Sequence, residues 1–100
     1  MFKEVKEFDE NVLFEIGRRI QEVRLAKRIT GIDLAVELGI GRNQLSRIET
    51  GRAKCTLPQL FVLGQVLECS IDFLLYGEKA MSYSQEQEES IKNLIAAFAK

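Results

Sequence analysis

Apolar residues recur along this chain at the helical spacing of about 3.6 residues, and their breaks mark out a series of short helices. Leu13, Ile16, Ile20 and Val23 form the stripe of a first helix that starts from the cap Asp9 and runs to about Lys27. Phe8 and Leu13 have the spacing of a hydrophobic staple across that cap. Lys27 and Arg28 lie at the C-terminal end, where cations are favoured, and Phe14 and Leu25 fall on another face. Thr30 caps a second helix with Leu34, Ala35 and Leu38 inward. Gly39 stops it, because glycine enters the left-handed conformation of a helix end at little cost. Ile40 reads as a plug between helices and Gly41 as the N-cap of a third, which buries Leu45 and Ile48 and ends at Gly51. Arg52, Ala53 and Lys54 read as an exposed basic loop.

Thr56 and Gln59 have capping-box spacing, and Pro58 is tolerated in the unpaired first turn that follows. The fourth helix turns Leu60, Leu63 and Leu67 inward, with Val62 and Val66 on its outer side. Gly64 costs about 1 kcal/mol of helix propensity against alanine, which implies a close helix crossing. Ser70 caps a short fifth helix, 71–75, ended at Gly77. Residues 78–83 read as a linker. Ser84 and Gln87 form a second capping box, opening a terminal amphipathic helix, 84–100, with Ile91, Leu94, Ile95 and Phe98 on one stripe. Residues 1–11 form an N-terminal extension. The expected architecture is all-α: one domain over residues 12–77, the linker, and the extra C-terminal helix.

Composition narrows the chemistry. One hundred residues support one small core. The chain holds no histidine, and its two cysteines, Cys55 and Cys69, belong to no CxxC pair. No metal site and no cofactor are expected, and free thiols imply a reducing, cytoplasmic setting. No apolar run approaches the 18 or so residues of a membrane span, and the N-terminus lacks a signal-peptide pattern. The net charge of −1 hides an uneven distribution. Residues 39–54 carry Arg42, Arg47, Arg52 and Lys54 against Glu49 alone. A local basic patch of this kind is what displaces counterions from a phosphate backbone. Lys54 could lower the pKa of the Cys55 thiol, yet an ordinary loop cysteine is the preferred reading over an oxidant sensor.

The third helix carries the sharpest signal. Arg42, Asn43, Ser46 and Arg47 fall opposite its buried stripe, with Gln44 on the flank. Arginine can pair bidentately with guanine, and asparagine or glutamine with adenine, in the major groove. A polar solvated face is the bland alternative; the adjoining glycine turn favours DNA.

The segments IGRRIQEVR at 16–24, TGIDLAVELGIGRNQLSRIETG at 30–51 and TLPQLFVLGQVLECSIDFLLYG at 56–77 carry a family resemblance. Residues 16–77 resemble the DNA-binding domain of the lambda-repressor-like regulators of the Cro and Xre family. The resemblance implies five helices with the third in the major groove. It implies base contacts from Arg42, Asn43 and Arg47, and from Gln44 a contact to either a base or a phosphate. Backbone contacts are expected from Thr30, Gly31, Ser46, Arg52 and Lys54. It also implies an ion pair between Arg24 and Glu49. Three positions depart from the family pattern: Gly31 replaces a phosphate-anchoring glutamine, Gly41 a Ser or Thr cap, and Cys55 a common proline.

The expected function is sequence-specific regulation of transcription, with a homodimer bound across a palindromic operator in double-stranded DNA. Repression is the default for a domain this small. The alternative is an antitoxin-type interaction module on the same fold, whose C-terminal helix grips a protein partner or antirepressor. No enzyme is expected, since histidine, paired carboxylates and a glycine-rich phosphate loop are all missing. The stripe Ile91, Leu94, Ile95 and Phe98 is expected to dock, in dimerisation or on a partner, with Phe14, Leu25, Val62 and Val66 as candidate receiving positions.

Overall fold

The computed structural model describes residues 5–78 and 92–97. Five helices make the domain: α1 (Glu10–Ala26), α2 (Gly31–Leu38), α3 (Arg42–Glu49), α4 (Leu57–Val66) and α5 (Ile71–Tyr76). Residues 92–97 are also helical, and no strand occurs among the described residues.

Four of the five helices of the domain start where the sequence supplies a side-chain acceptor for free amide groups. Asp9 Oδ1 accepts from the Val12 amide at 2.9 Å, and Thr30 Oγ1 from Asp33 at 3.1 Å. At α4 the capping box is complete: Thr56 Oγ1 accepts from the Gln59 amide at 3.2 Å, and Gln59 Oε1 from the Thr56 amide at 2.9 Å. Ser70 Oγ accepts from the Phe73 amide at 3.0 Å. Only Gly41, before α3, caps without a side chain. At the other end of α2, Gly39 sits at φ +68°, and the Ile40 amide closes back on the Ala35 carbonyl at 3.0 Å. That left-handed closure turns the chain sharply into α3.

Nine apolar residues form the core: Ile16 and Ile20 of α1, Leu34 and Ala35 of α2, Leu45 and Ile48 of α3, Leu63 and Leu67 of α4 and its cap, and Leu74 of α5. α1 packs on α3 and α5, α2 on α3 and α4, and α4 on α5. The recognition candidate α3 is thus wedged between α1 and α2, and only its outer face is left to solvent.

Several positions differ from the sequence reading. The stripe of α1 is Val12, Ile16, Ile20 and Val23; Leu13 is half-buried, because Val12 lies one full turn before Ile16. Phe8 is exposed, and its ring carries the Lys54 ammonium 5.9 Å from the centroid. Ala53 tucks against the core although its neighbours Arg52 and Lys54 are exposed. Val66, expected on the outer side of α4, packs against the core, and Val62 is half-buried. The outward apolar residues of α4 are Leu57 and Phe61. The close crossing at Gly64 is present: a Cβ there would lie 3.3 Å from Ile71 Cγ1.

Candidate nucleic-acid interface

The outer face of α3 is built by the burial of its inner one. Leu45 and Ile48 face the core, so Arg42, Asn43, Ser46 and Arg47 stand exposed in a row, and Gln44 is half-buried on the flank. No carboxylate lies on that row. Glu49, the one acid of the helix, is only 6% exposed and turned inward.

Glu49 is neutralised by Arg24 of α1. Arg24 Nε donates to Glu49 Oε2 at 2.7 Å and Nη2 to Oε1 at 3.0 Å, a bidentate fork. Nη1 donates to the Ile29 carbonyl at 3.0 Å, so one guanidinium ties α1, the α1–α2 turn and α3 together. The Glu49 carboxylate holds the Arg24 pKa above its ordinary value, against the opposing effect of burial. The architectural ion pair expected from the resemblance is therefore formed in full.

The loop after α3 is held by main-chain bonds. The Arg47 carbonyl accepts from the amides of both Arg52 (2.7 Å) and Ala53 (3.1 Å). Gly51, at φ +76°, lies against the backbone of Phe14 in α1. This loop brings exposed Arg52 and Lys54 to the C-terminal side of α3, and Lys54 gains a second anchor in the Phe8 ring. At the other side, exposed Thr30 caps α2 and half-buried Gly31 opens it. A Cβ on Gly31 would meet Arg42 Nε only at 3.6 Å, so the missing side chain leaves ordinary space. A cleft of about 350 Å³ lies between Gln21 and Arg24 of α1 and Arg42, Asn43 and Ser46 of α3. Gln21 was not legible as part of this surface, since in sequence it is one more polar residue on the outside of α1.

Among the other expected docking positions, Phe14 and Leu25 are exposed. Leu94 and Ile95 of segment 92–97 are exposed too, while Ile91 and Phe98 lie outside the described residues, as do 79–83 of the expected linker and 84–90 of the expected helix.

Burial pushes the Cys55 thiol up to about 11 despite the neighbouring lysine, and burial also raises that of Cys69. Lys54 does not activate Cys55. Cys55 should therefore react with iodoacetamide slowly at pH 8, and its rate should climb only as pH approaches 11. A fast reaction at pH 8 would contradict this. Because the folded thiol holds its proton more tightly than a free thiol, which titrates near 9.0, its contribution to stability is complete below pH 9 and fades as pH rises through 11.

The profile of the helix-turn-helix family matches residues 20–74. The chain is 26% identical over 76 residues to the HTH-type transcriptional activator BcrR of Enterococcus faecalis, covering 76% of this chain and 37% of BcrR. It is 33% identical over 82 residues to the SPbeta prophage-derived HTH-type transcriptional regulator YonR of Bacillus subtilis, covering 82% of this chain and 76% of YonR. Among solved structures it is similar to the P22 c2 repressor in complex with a synthetic operator. The TM-score is 0.60 and the identity 28%, over 63% of this chain and 96% of that one. This chain spans little more than a third of the length of BcrR.

Proposed function

Since the chain belongs to the helix-turn-helix family, we propose that it is a DNA-binding transcriptional regulator that reads its operator with the outer face of α3. The single observation that carries this reading is the clearing of negative charge from that face. Glu49 is folded inward onto Arg24, and the exposed groups that remain are two guanidiniums, an amide and a hydroxyl. Arg42, Asn43 and Arg47 contact bases, with Gln44 touching the edge of the site. Thr30, the Gly31 amide, Ser46, Arg52 and Lys54 contact phosphates.

Two copies bind a two-fold operator, as the spacing of successive major-groove faces requires when each domain presents one short recognition helix. Homodimeric occlusion of a promoter then makes repression the simplest outcome. The protein is a binder rather than an enzyme: it has no histidine to move a proton at neutral pH. No described helix is long and apolar enough to cross a membrane, which is in keeping with action on DNA in the cytoplasm.

The test compares two substitutions on DNA selected from a random pool. Arg47→Ala should cost about 1–3 kcal/mol and relax preference at one base pair, whereas Lys54→Ala should weaken all sequences alike and reduce the salt slope by about one. If Arg47→Ala changed neither affinity nor preference, α3 would not be the reading element.

A further inference from the structure

The outward face of α4 leaves two large apolar side chains to solvent. Leu57 is 77% exposed and Phe61 65% exposed. They lie one turn apart, and Gln65 extends the same row by another turn. Gln65 adds no charge, and its amide donates back to the Phe61 carbonyl at 3.3 Å. Pro58, also exposed, flanks the row. From Cys55 to Leu67 there is no charged side chain at all, in a chain where 29% of residues are charged. An ordinary solvated helix has charged residues opposite its apolar stripe; α4 does not.

The other exposed apolar residues have different surroundings. Phe14 and Leu25 lie on an α1 surface crossed by Arg18, which pairs with both Glu15 and Glu22. Ile32 and Val36 of α2 alternate with Asp33 and Glu37. Tyr76 lines a cavity closed by α1 and residues 6–8. Two copies meeting through α2 would set like charges against each other. Two copies meeting through α4 would not, because the face is uncharged and complements itself, as a two-fold contact demands.

Position points to the same occupant. The row begins three residues after Lys54, so it continues directly from the phosphate-gripping loop on the C-terminal side of α3. We infer that the Leu57–Phe61 face of α4 is the seam through which a second copy of this chain pairs when two copies occupy adjacent half-sites. This rests on the operator reading above. With two large apolar side chains per protomer the seam is small against the 1,200 Å² or more of a stable interface, so its effect is cooperativity on DNA rather than a tight dimer in solution.

The experiment uses the full chain and two duplexes drawn from a random pool by the wild-type protein, one with both half-sites and one with a single half-site. Phe61→Glu and Leu57→Glu should fold, since both positions are exposed, and should bind the single half-site like wild type. On the double site they should lose the cooperative factor, about 5- to 150-fold for a coupling of ordinary size. Leu25→Glu, with the same added charge on α1, should keep full cooperativity. Retained cooperativity in both α4 variants would overturn the seam while leaving the operator reading intact. So would its loss in Leu94→Glu/Ile95→Glu alone, which would move the pairing to the C-terminal helix. If the pool yielded no bound DNA for wild type, the operator reading itself would fall, and the seam with it.

Discussion

Arg24→Ala is expected to cost about 3–5 kcal/mol of folding stability, the usual penalty for stranding one partner of a buried ion pair. The side chains are 11% and 5% exposed, so water cannot readily replace the lost partner. Among the described residues the Glu49 carboxylate accepts only from Arg24, whereas Arg24 also donates to the Ile29 carbonyl. Glu49→Ala should therefore be the milder of the two changes. The Arg24→Ala deficit should also shrink on acidification, because an orphaned carboxylate can shed its charge by taking up a proton; the Glu49→Ala deficit should not. Urea melts of both variants across a pH series would test this. Equal losses that stay below about 1 kcal/mol, the range of surface pairs, would show that the fork is decoration.

Gly17→Ala is the second large effect. On helix propensity alone the change should help by about 1 kcal/mol. Packing reverses the sign. A Cβ at Gly17 would lie 2.7 Å from the Glu49 carbonyl oxygen and closer still to that of Ile48, both main-chain atoms at the end of α3. Neither can rotate away, so α1 and α3 must separate. Overpacking of this kind costs about 1–3 kcal/mol and sometimes more, and it displaces the helix proposed to read DNA. Thermal melts and operator affinity should fall together. A variant with an unchanged midpoint and full affinity would contradict the close crossing.

The same glycine shows where the sequence falls short. Most helix boundaries could be read because caps are local: Asp9, Thr30, Thr56 and Ser70 act within three residues of themselves. Gly39 was equally legible, since a left-handed turn is a property of one residue. Gly17 was not, because its reason for being glycine lies more than thirty residues away in α3. Arg19 was missed for the same cause. Its Nη1 donates to the Leu74 carbonyl at 3.0 Å, fastening α5 to α1, yet in sequence it is one more cation on an amphipathic helix. On α4 the periodicity placed Leu63 and Leu67 correctly, but that helix carries no charged residue and has apolar side chains on its outer face too. Periodicity then has no charged side to reference, which is why Val66 was assigned outward and Leu57 and Phe61 went unnoticed. The outward polar row of α3 could be read from helical periodicity, but the Arg24–Glu49 fork was named only through family resemblance, because spacing alone could not have joined residues 24 and 49.

The Arg47 carbonyl, accepting from the amides of Arg52 and Ala53, has a consequence for how such a protein can change its target. Those bonds use main-chain atoms only, so the side chain at position 47 takes no part in holding the loop that carries Arg52 and Lys54. Arg42, Asn43 and Ser46 point into solvent in the same way, and no core residue depends on them. The recognition alphabet and the scaffold are therefore separately writable. On the proposed reading a new operator preference could be installed at these positions without reopening the fold, and phosphate contacts from Arg52 and Lys54 would keep a recoded protein on DNA while its new preference is still weak.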